Sequence, residues 1–344
     1  MFLVIDGSSM LVTAYHALLP NEIRFERDSE KKKLYYDKIM HNSKGVYTNA
    51  IYGMLGQILK IITEQKPEYM AIVFDKSRNT FRRDLYSEYK AQRKSTDEPL
   101  KQQFVLMEQI IEQLGIKCLY DDKIEADDLA GSIIKLFENS QSMRFMTKDH
   151  DYLQLVNENT RGWMVQTSWD NVHALEEKYF KEYGVKLEDF KLPDKVFEFG
   201  PNIVKGEEGV EPIQVIDKKA ICGDASDNIP GVKGVGDAAV IPLLSKYKTV
   251  EEIYAEIEKC TDEKQEKELA KKWKEELGIK RSPIKNLKEQ KEIAFLSKQL
   301  ATIKTDASVP ADIEEYKYKI NRDTLKEILE EYEFKSLMEY VEKF

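Results

Sequence analysis

Short, β-prone apolar runs that stop at carboxylates recur through the N-terminal half of this chain. Phe2 to Ile5 ends at Asp6, and Tyr69 to Phe74 ends at Asp75. Ile116 to Tyr120 runs toward Glu125-Ala126-Asp127-Asp128, and Met143 to Thr147 toward Asp149 and Asp151. Between them lie stretches of helical spacing: Ala50 through Leu55, Ile58, Leu59 and Ile62, stopped near Pro67; Phe104 to Leu114, closed by Gly115; and Leu129 to Phe137. Strands alternating with helices predict a doubly wound, mostly parallel α/β sheet, with a fifth strand at Gly162 to Val165. Such sheets build their sites beyond the carboxyl ends of the strands, so the acids are expected to converge on one edge.

Outside this pattern, Asn21 to Lys44 reads as an exposed connection or insertion. Ala174 to Tyr183 reads as a helix, and Gly184 to Gly209, with Pro193, Gly200-Pro201, Gly206 and Gly209, as a long loop. Helical spacing then dominates, over roughly 213–222, 236–246, 249–259, 262–277, 286–303 and 322–342. The expected division is a 1–211 α/β core, with an insertion at 184–209, and a helical part at 212–344. Apolar stretches are broken well before the ~20 residues a spanning helix needs, and Met1 to Ile5 meets Asp6 too soon for a signal peptide. Cys118, Cys222 and Cys260 form no CxxC spacing, which predicts a reduced, cytoplasmic setting without structural zinc. A net charge of −9 argues against a nucleic-acid partner unless the negative charge is gathered in one place. Between Lys76 and Lys101 the balance reverses, with eight lysines and arginines against four acids.

Glu125 and Asp128, three apart, share a face at a helix start. Two readings are open there: a solvated helix N-terminus complementing the helix dipole, or oxygen ligands for a hard divalent cation. The pairs Asp149/Asp151 and Asp224/Asp227 are equally open, since turn and N-cap acids are common. Together, however, Asp6, Asp75, Glu125, Asp127, Asp128, Asp149, Asp151, Asp224 and Asp227 form five clusters, four of them at expected strand ends. Ionised side by side they require counter-charge. Two Mg²⁺ or Mn²⁺ ions would supply it, together with the chemistry of phosphoryl displacement. The four histidines are dispersed and offer no competing site. Arg82 to Lys94, with Phe81, Tyr86 and Tyr89 interleaved, reads as a cationic approach with stacking platforms, or else as an exposed amphipathic helix. Gly231-Val232-Lys233-Gly234-Val235-Gly236 opens a helix, either to hold a phosphate on backbone N–H groups or as a plain turn.

These pieces resemble the structure-specific 5′ nucleases: flap endonucleases, the 5′–3′ exonuclease domain of bacterial DNA polymerase I, and free-standing bacteriophage relatives. The matching runs, in order, are Leu3-Val4-Ile5-Asp6-Gly7, Asn49-Ala50-Ile51-Tyr52-Gly53, Phe74-Asp75 with Phe81-Arg82, Glu88-Tyr89-Lys90 with Arg93, Glu125-Ala126-Asp127-Asp128, Thr147-Lys148-Asp149-His150-Asp151, Gly223-Asp224-Ala225-Ser226-Asp227-Asn228-Ile229-Pro230-Gly231-Val232 and Leu300-Ala301-Thr302-Ile303. The resemblance implies a two-metal DNA nuclease acting at 5′ ends and flaps, with a PIN-like core and a helical arch about 76–103. It also implies a helix-hairpin-helix about 213–247 that grips duplex DNA, often around K⁺. One metal position would draw on Asp6, Asp75, Glu125, Asp127 and Asp128, the other on Asp149, Asp151, Asp224 and Asp227. Lys90 would contact the scissile phosphate with help from Arg82 and Arg93. Tyr89, Arg83, Gly231, Lys233, Gly234 and Gly236 are expected on the substrate. No polymerase region follows, so a free-standing, monomeric enzyme is expected. Asp237-Ala238-Ala239 departs from the lysine-containing helix start of the family, and Pro242 is expected to shorten or bend that helix. An acid-cluster ribonuclease and a non-catalytic DNA-junction binder are the alternatives. The helix-hairpin-helix element argues against the first, and the full set of acids against the second.

Overall fold

The computed structural model describes residues 1–93, 95–181 and 186–344. Lys94, the helix end expected at Tyr183 and the loop start expected at Gly184 lie outside the described residues. Strands β1 (Phe2–Asp6), β2 (Tyr69–Asp75), β3 (Lys117–Asp121), β4 (Met143–Thr147), β5 (Thr160–Val165) and β6 (Val196–Phe199) form one sheet in the order β3-β2-β1-β4-β5-β6. The first five are parallel, and β6 runs antiparallel to β5. The winding direction reverses between β1 and β4, so the topological switch point lies between the strands that end near Asp6 and Asp149.

The N-terminal helices are α1 (Gly7–Ala17), α2 (Asn21–Arg24), α3 (Ser29–Lys33), α4 (Asn49–Gln65), α5 (Phe81–Leu85), α6 (Glu98–Gln113), α7 (Ala126–Phe137), α8 (Trp169–Tyr179) and α9 (Pro201–Glu208). Period-two alternation sorts the strands between two cores. Leu3, Ile5, Met70, Ile72 and Phe74 pack with the apolar faces of α1, α4 and α6. Phe2, Val4, Ala71 and Val73 pack with α7.

That second core runs on without a break into α10 (Val215–Cys222), α11 (Asp237–Tyr247), α12 (Val250–Glu258), α13 (Glu263–Leu277), α14 (Ile284–Glu289) and α15 (Lys291–Ala301). Finally α16 (Arg322–Glu331) returns to the other face, where Leu325, Ile328 and Leu329 join the α4 core. Among the described residues no helix is long and apolar enough to cross a membrane, and the three cysteines are unpaired thiols.

Four local expectations change. After the first strand no helix is expected, yet Gly7-Ser8-Ser9 opens α1, because Asp6 accepts the Ser9 amide at 2.9 Å as N-cap and Met10, Leu11 and Tyr15 are buried. A Cβ at Gly7 would lie 2.6 Å from the Phe74 ring, so only glycine lets the chain turn here. Within the expected 184–209 loop, Val196–Phe199 completes the sheet and Pro201–Glu208 is helical. The expected 286–303 helix breaks at Gln290, whose side chain is drawn to both the amide and the carbonyl of Lys233. The expected 322–342 helix stops at Glu331 and resumes as a 3₁₀ turn, Lys335–Lys343.

Candidate active site

An open cleft of about 2320 Å³ lies over the carboxyl ends of β1, β2 and β4. Asp6, Asp75, Glu125, Asp127, Asp149, Asp151 and Asp224 all line it. Each is placed by its element. Asp6 caps α1 and accepts the Thr147 hydroxyl at 2.7 Å, while Thr147 in turn accepts the Asp149 amide at 3.0 Å. Asp149 caps the turn that follows β4 by accepting the Asp151 amide at 2.9 Å. The Asp75 amide donates to Ser8 Oγ at 2.8 Å, and Asp75 Oδ1 accepts the Ala126 amide at 3.0 Å, tying β2 to both α1 and the start of α7.

Four cations stand among these acids. Lys90 Nζ reaches Glu125 at 2.6 Å and Asp227 at 3.4 Å. Arg93 also pairs with Asp227. Lys219 bridges Asp151 and Asp224, the latter at 2.6 Å. Arg82 grips Asp128 with two hydrogen bonds of 2.7 Å. Sequence reasoning asked for counter-charge from metal ions; part of it is built into the chain.

The charge states divide accordingly. Burial, then Asp75, pushes the Asp6 carboxyl up to about 7. Burial, reinforced by Asp128 and Glu125 against the pull of Arg82, also holds Asp127 well above the carboxylate range. Asp149 is raised by desolvation at the cleft floor and by Asp227. For Glu125 burial is outweighed by Lys90 and Arg82, and the net shift is downward. Lys219 overcomes burial at Asp224 and brings it to about 2. Asp6, Asp127 and Asp149 thus form a strained, under-compensated group.

Several expected roles meet a different geometry. Asp128 is fully buried and does not line the cleft; its oxygens are taken by Arg82, by the Lys304 amide at 2.7 Å and by the Glu125 amide at 3.4 Å. It is therefore a corrected member of the ligand set, an anchor under α7 rather than a group open to an ion. Asp227, 4% exposed and also outside the cleft lining, is saturated by Arg93, Lys90 and the Tyr89 hydroxyl at 3.0 Å.

Arg82, 1% exposed, spends two further donors on the carbonyls of Leu300 and Thr302, both at 2.9 Å, which sets its guanidinium under α7 and away from solvent. Tyr89 is 2% exposed and cannot stack on a base. Phe81 is covered by Arg82 and by Lys304, whose Nζ lies 3.8 Å from the ring centroid. Arg83, Lys90 and Arg93 line the cleft, as does the small exposed part of Tyr89.

The segment carrying these residues is not one long helix. It holds α5 and then turns pinned to the loop after α10, through Lys90 N to Asp227 O at 2.9 Å, Gln92 to the carbonyls of Ala225 and Ser226, and Asn228 to Glu88 O at 2.7 Å. Lys90 takes a left-handed backbone, φ 53°, at the centre of this pinning.

The glycine turn before α11 is held from within. Gly231 N donates to Ser297 Oγ at 3.0 Å and Lys233 N to Gln290 Oε1 at 2.9 Å, so neither amide is open to a phosphate. Gly231 and Gly234 have φ of 60° and 85°, and a Cβ on Gly234 would meet the Asn286 amide at 2.6 Å. Gly236 faces open space at the start of α11, and Lys233 is exposed. Helix α11 continues through Pro242 to Tyr247.

Lys219 and Tyr152 are absent from the sequence reading. The signal for Lys219 was its position in the last turn of α10, just ahead of Asp224. Tyr152 is 1% exposed and its hydroxyl has no partner, although Asp6, Asp127, Asp75 and Asp149 all act on it. Among the described residues no three His, Cys, Asp or Glu side chains are already drawn around a single point. Fit to a divalent ion rests instead on the donor set: hard oxygen ligands carrying excess negative charge, over a buried donor that lacks an acceptor.

Comparison with known proteins follows the same lines. A model described as 5'-3' exonuclease, N-terminal resolvase-like domain matches residues 1–184, and one described as 5'-3' exonuclease, C-terminal SAM fold matches residues 210–324. The chain belongs to the 5'-3' exonuclease family, a family of nucleases. DNA polymerase I of Caldicellulosiruptor bescii is 34% identical over 337 residues, 97% of this chain and 33% of that protein. The chain thus spans about a third of the length of such relatives. The fold resembles T5 5'-exonuclease with divalent metal ions (zinc) bound, at TM-score 0.56 and 19% identity, over 87% of this chain and 88% of that one. It also resembles the catalytic core of Rad2 in complex with DNA substrate, at TM-score 0.55 and 14% identity, over 96% and 88%.

Proposed function

We propose that this chain hydrolyses DNA phosphodiesters at 5′ ends and at 5′ flaps or junctions, using divalent metal ions, Mg²⁺ or Mn²⁺, in replication or repair. The observation that carries this reading is the row of cleft-lining carboxylates at the ends of three adjacent parallel strands, with Lys90 and Arg93 lining the same cleft. Asp6, Asp75, Glu125, Asp127 and Asp149 would hold one ion, and Asp149, Asp151 and Asp224 a second. When bound, such ions lower the pKa of a water and stabilise the leaving oxygen of an in-line displacement.

The chain's own residues do the rest. Lys90, whose partly buried ammonium is held charged by Glu125, and Arg93 offer positive charge to the phosphate. Arg82 contacts no substrate in this scheme; it fixes α7, and with it Glu125 and Asp127, against the Leu300–Thr302 turn. The exposed start of α11 at Gly236, with Lys233, is the surface for duplex DNA, with K⁺ as its ion. The protein works as a monomer in the cytoplasm, with a nuclease core before about residue 211 and a DNA-binding part after it.

Product mapping on a labelled 5′-flap duplex and a nicked duplex in Mg²⁺ tests the proposal. Products with 5′-phosphate and 3′-hydroxyl ends are expected, and Lys90→Ala should slow the bound substrate's cleavage more than it weakens binding. Cleavage of no flap, nick or overhang would leave a DNA-binding role only.

A further inference from the structure

Between α1 and α4 the chain leaves the core for some thirty residues, fastened by buried Ile23 and Ile39 and by Arg24, which donates to the carbonyls of His16 and Ala17. This excursion carries the two most exposed large apolar side chains among the described residues, Phe25 at 75% and Leu34 at 74%. Its charges are sorted by side. Arg24, Arg27 and Lys32 line the same cleft as the catalytic carboxylates, and none of the excursion's acids does. Four of its five acids are engaged elsewhere: Glu22 with Lys38 at 2.6 Å, Glu30 with Lys33 at 2.7 Å, Glu26 on the amides of Arg27 and Asp28, and Asp28 as the cap of α3. Arg24 and Arg27, one and two positions from the bare Phe25 ring, thus line the cleft, while Phe25 itself lies outside that lining. The aromatic platforms expected opposite, Phe81 and Tyr89, are covered or buried.

We infer that this excursion is a second strand-binding surface, on which an unpaired nucleic-acid strand stacks a base on Phe25 and sets its phosphates against Arg27 and Lys32. The inference rests on the proposed nuclease reading for the identity of the ligand. Sequence-tolerant single-strand binding combines these two elements, a π face and cations tracking the backbone. A ring three-quarters exposed, one and two positions from the cleft-lining Arg24 and Arg27, suits a strand better than a protein partner, whose contact would favour a continuous apolar patch.

The test uses the full chain in Ca²⁺, with fluorescence anisotropy on a blunt duplex and on the same duplex carrying an unpaired oligothymidine arm of about 12 nucleotides. Phe25→Ala is expected to weaken binding of the armed duplex about 5- to 10-fold and of the blunt duplex less than twofold, with Phe25→Trp restoring the loss. Arg27→Ala/Lys32→Ala is expected to lower the salt dependence of arm binding by about one to one and a half units of log–log slope. Equal binding of both duplexes by wild type and Phe25→Ala overturns the inference. Wild-type cleavage of flaps with no effect of either variant overturns the rim alone. Arm binding through Phe25 without any cleavage supports the rim and refutes the nuclease reading.

Discussion

Replacing Arg82 with methionine should unfold the protein far more readily, and it also removes the charge that stands 3.6 Å from Glu125 and Asp127 at the cleft edge. The guanidinium makes four hydrogen bonds, two to Asp128 at 2.7 Å and one each to the carbonyls of Leu300 and Thr302 at 2.9 Å, between side chains 1% and 0% exposed. Breaking a buried ion pair costs about 3–5 kcal/mol because the partner charge is stranded. Each orphaned carbonyl adds about 1 kcal/mol where water reaches it only in part. The sum, about 5–7 kcal/mol, approaches the whole stability of a marginal domain.

Urea unfolding followed by circular dichroism in metal-free buffer measures it. Arg82→Met/Asp128→Leu removes both charges and should recover about 2 kcal/mol. It also keeps the test informative if the single variant does not fold. A loss below about 1 kcal/mol combined with abolished cleavage would refute the reasoning and return Arg82 to the substrate.

Two further outcomes follow from the charge pattern. Asp6, whose folded-state pKa is raised to about 7, costs the metal-free protein stability as pH climbs through that value. Asp6→Asn should therefore stabilise the metal-free protein at pH 8 but not at pH 4, by at most about 4 kcal/mol, read as a higher melting temperature, while Mg²⁺ stabilises the variant less than wild type. Asp224, lowered to about 2 by Lys219, contributes stability above its unfolded pKa that fades as pH falls below it. Lys219→Met should cost the metal-free protein about 1 kcal/mol at pH 7, yet tighten Mn²⁺ binding severalfold by calorimetry because no ammonium competes for Asp151 and Asp224.

The sheet and its acid edge were legible because both rest on local periodicity: runs such as Tyr69–Asp75 are β-prone, buried and end where the chain must turn. The helix opened by Gly7 was hidden because its first residues are turn-formers, and only the N-cap contact of Asp6 and the buried Tyr15 give it away. Strand β6 was hidden because four residues among Pro193 and Gly200 carry little signal of their own; pairing with β5 makes them a strand. At the site, residue type announced the carboxylates but not their partners. Asp127 and Asp128 are neighbours in sequence with opposite fates, one at the cleft and one sealed under Arg82, and that division depends on a turn at Leu300–Thr302 more than 170 residues away. Lys219 was equally invisible, since its bridge between Asp151 and Asp224 joins elements that sequence spacing does not connect.

The most direct test of the account is single-turnover cleavage of a 5′-labelled flap DNA in Mg²⁺ by wild type and Asp149→Asn. Asp149 lies at the switch-point end of β4 and is the carboxylate assigned to both ions. The account predicts efficient wild-type cleavage and a loss of about 100-fold or more in the variant, with its circular dichroism spectrum and its affinity for the flap in Ca²⁺ retained. Undiminished cleavage by Asp149→Asn would contradict it.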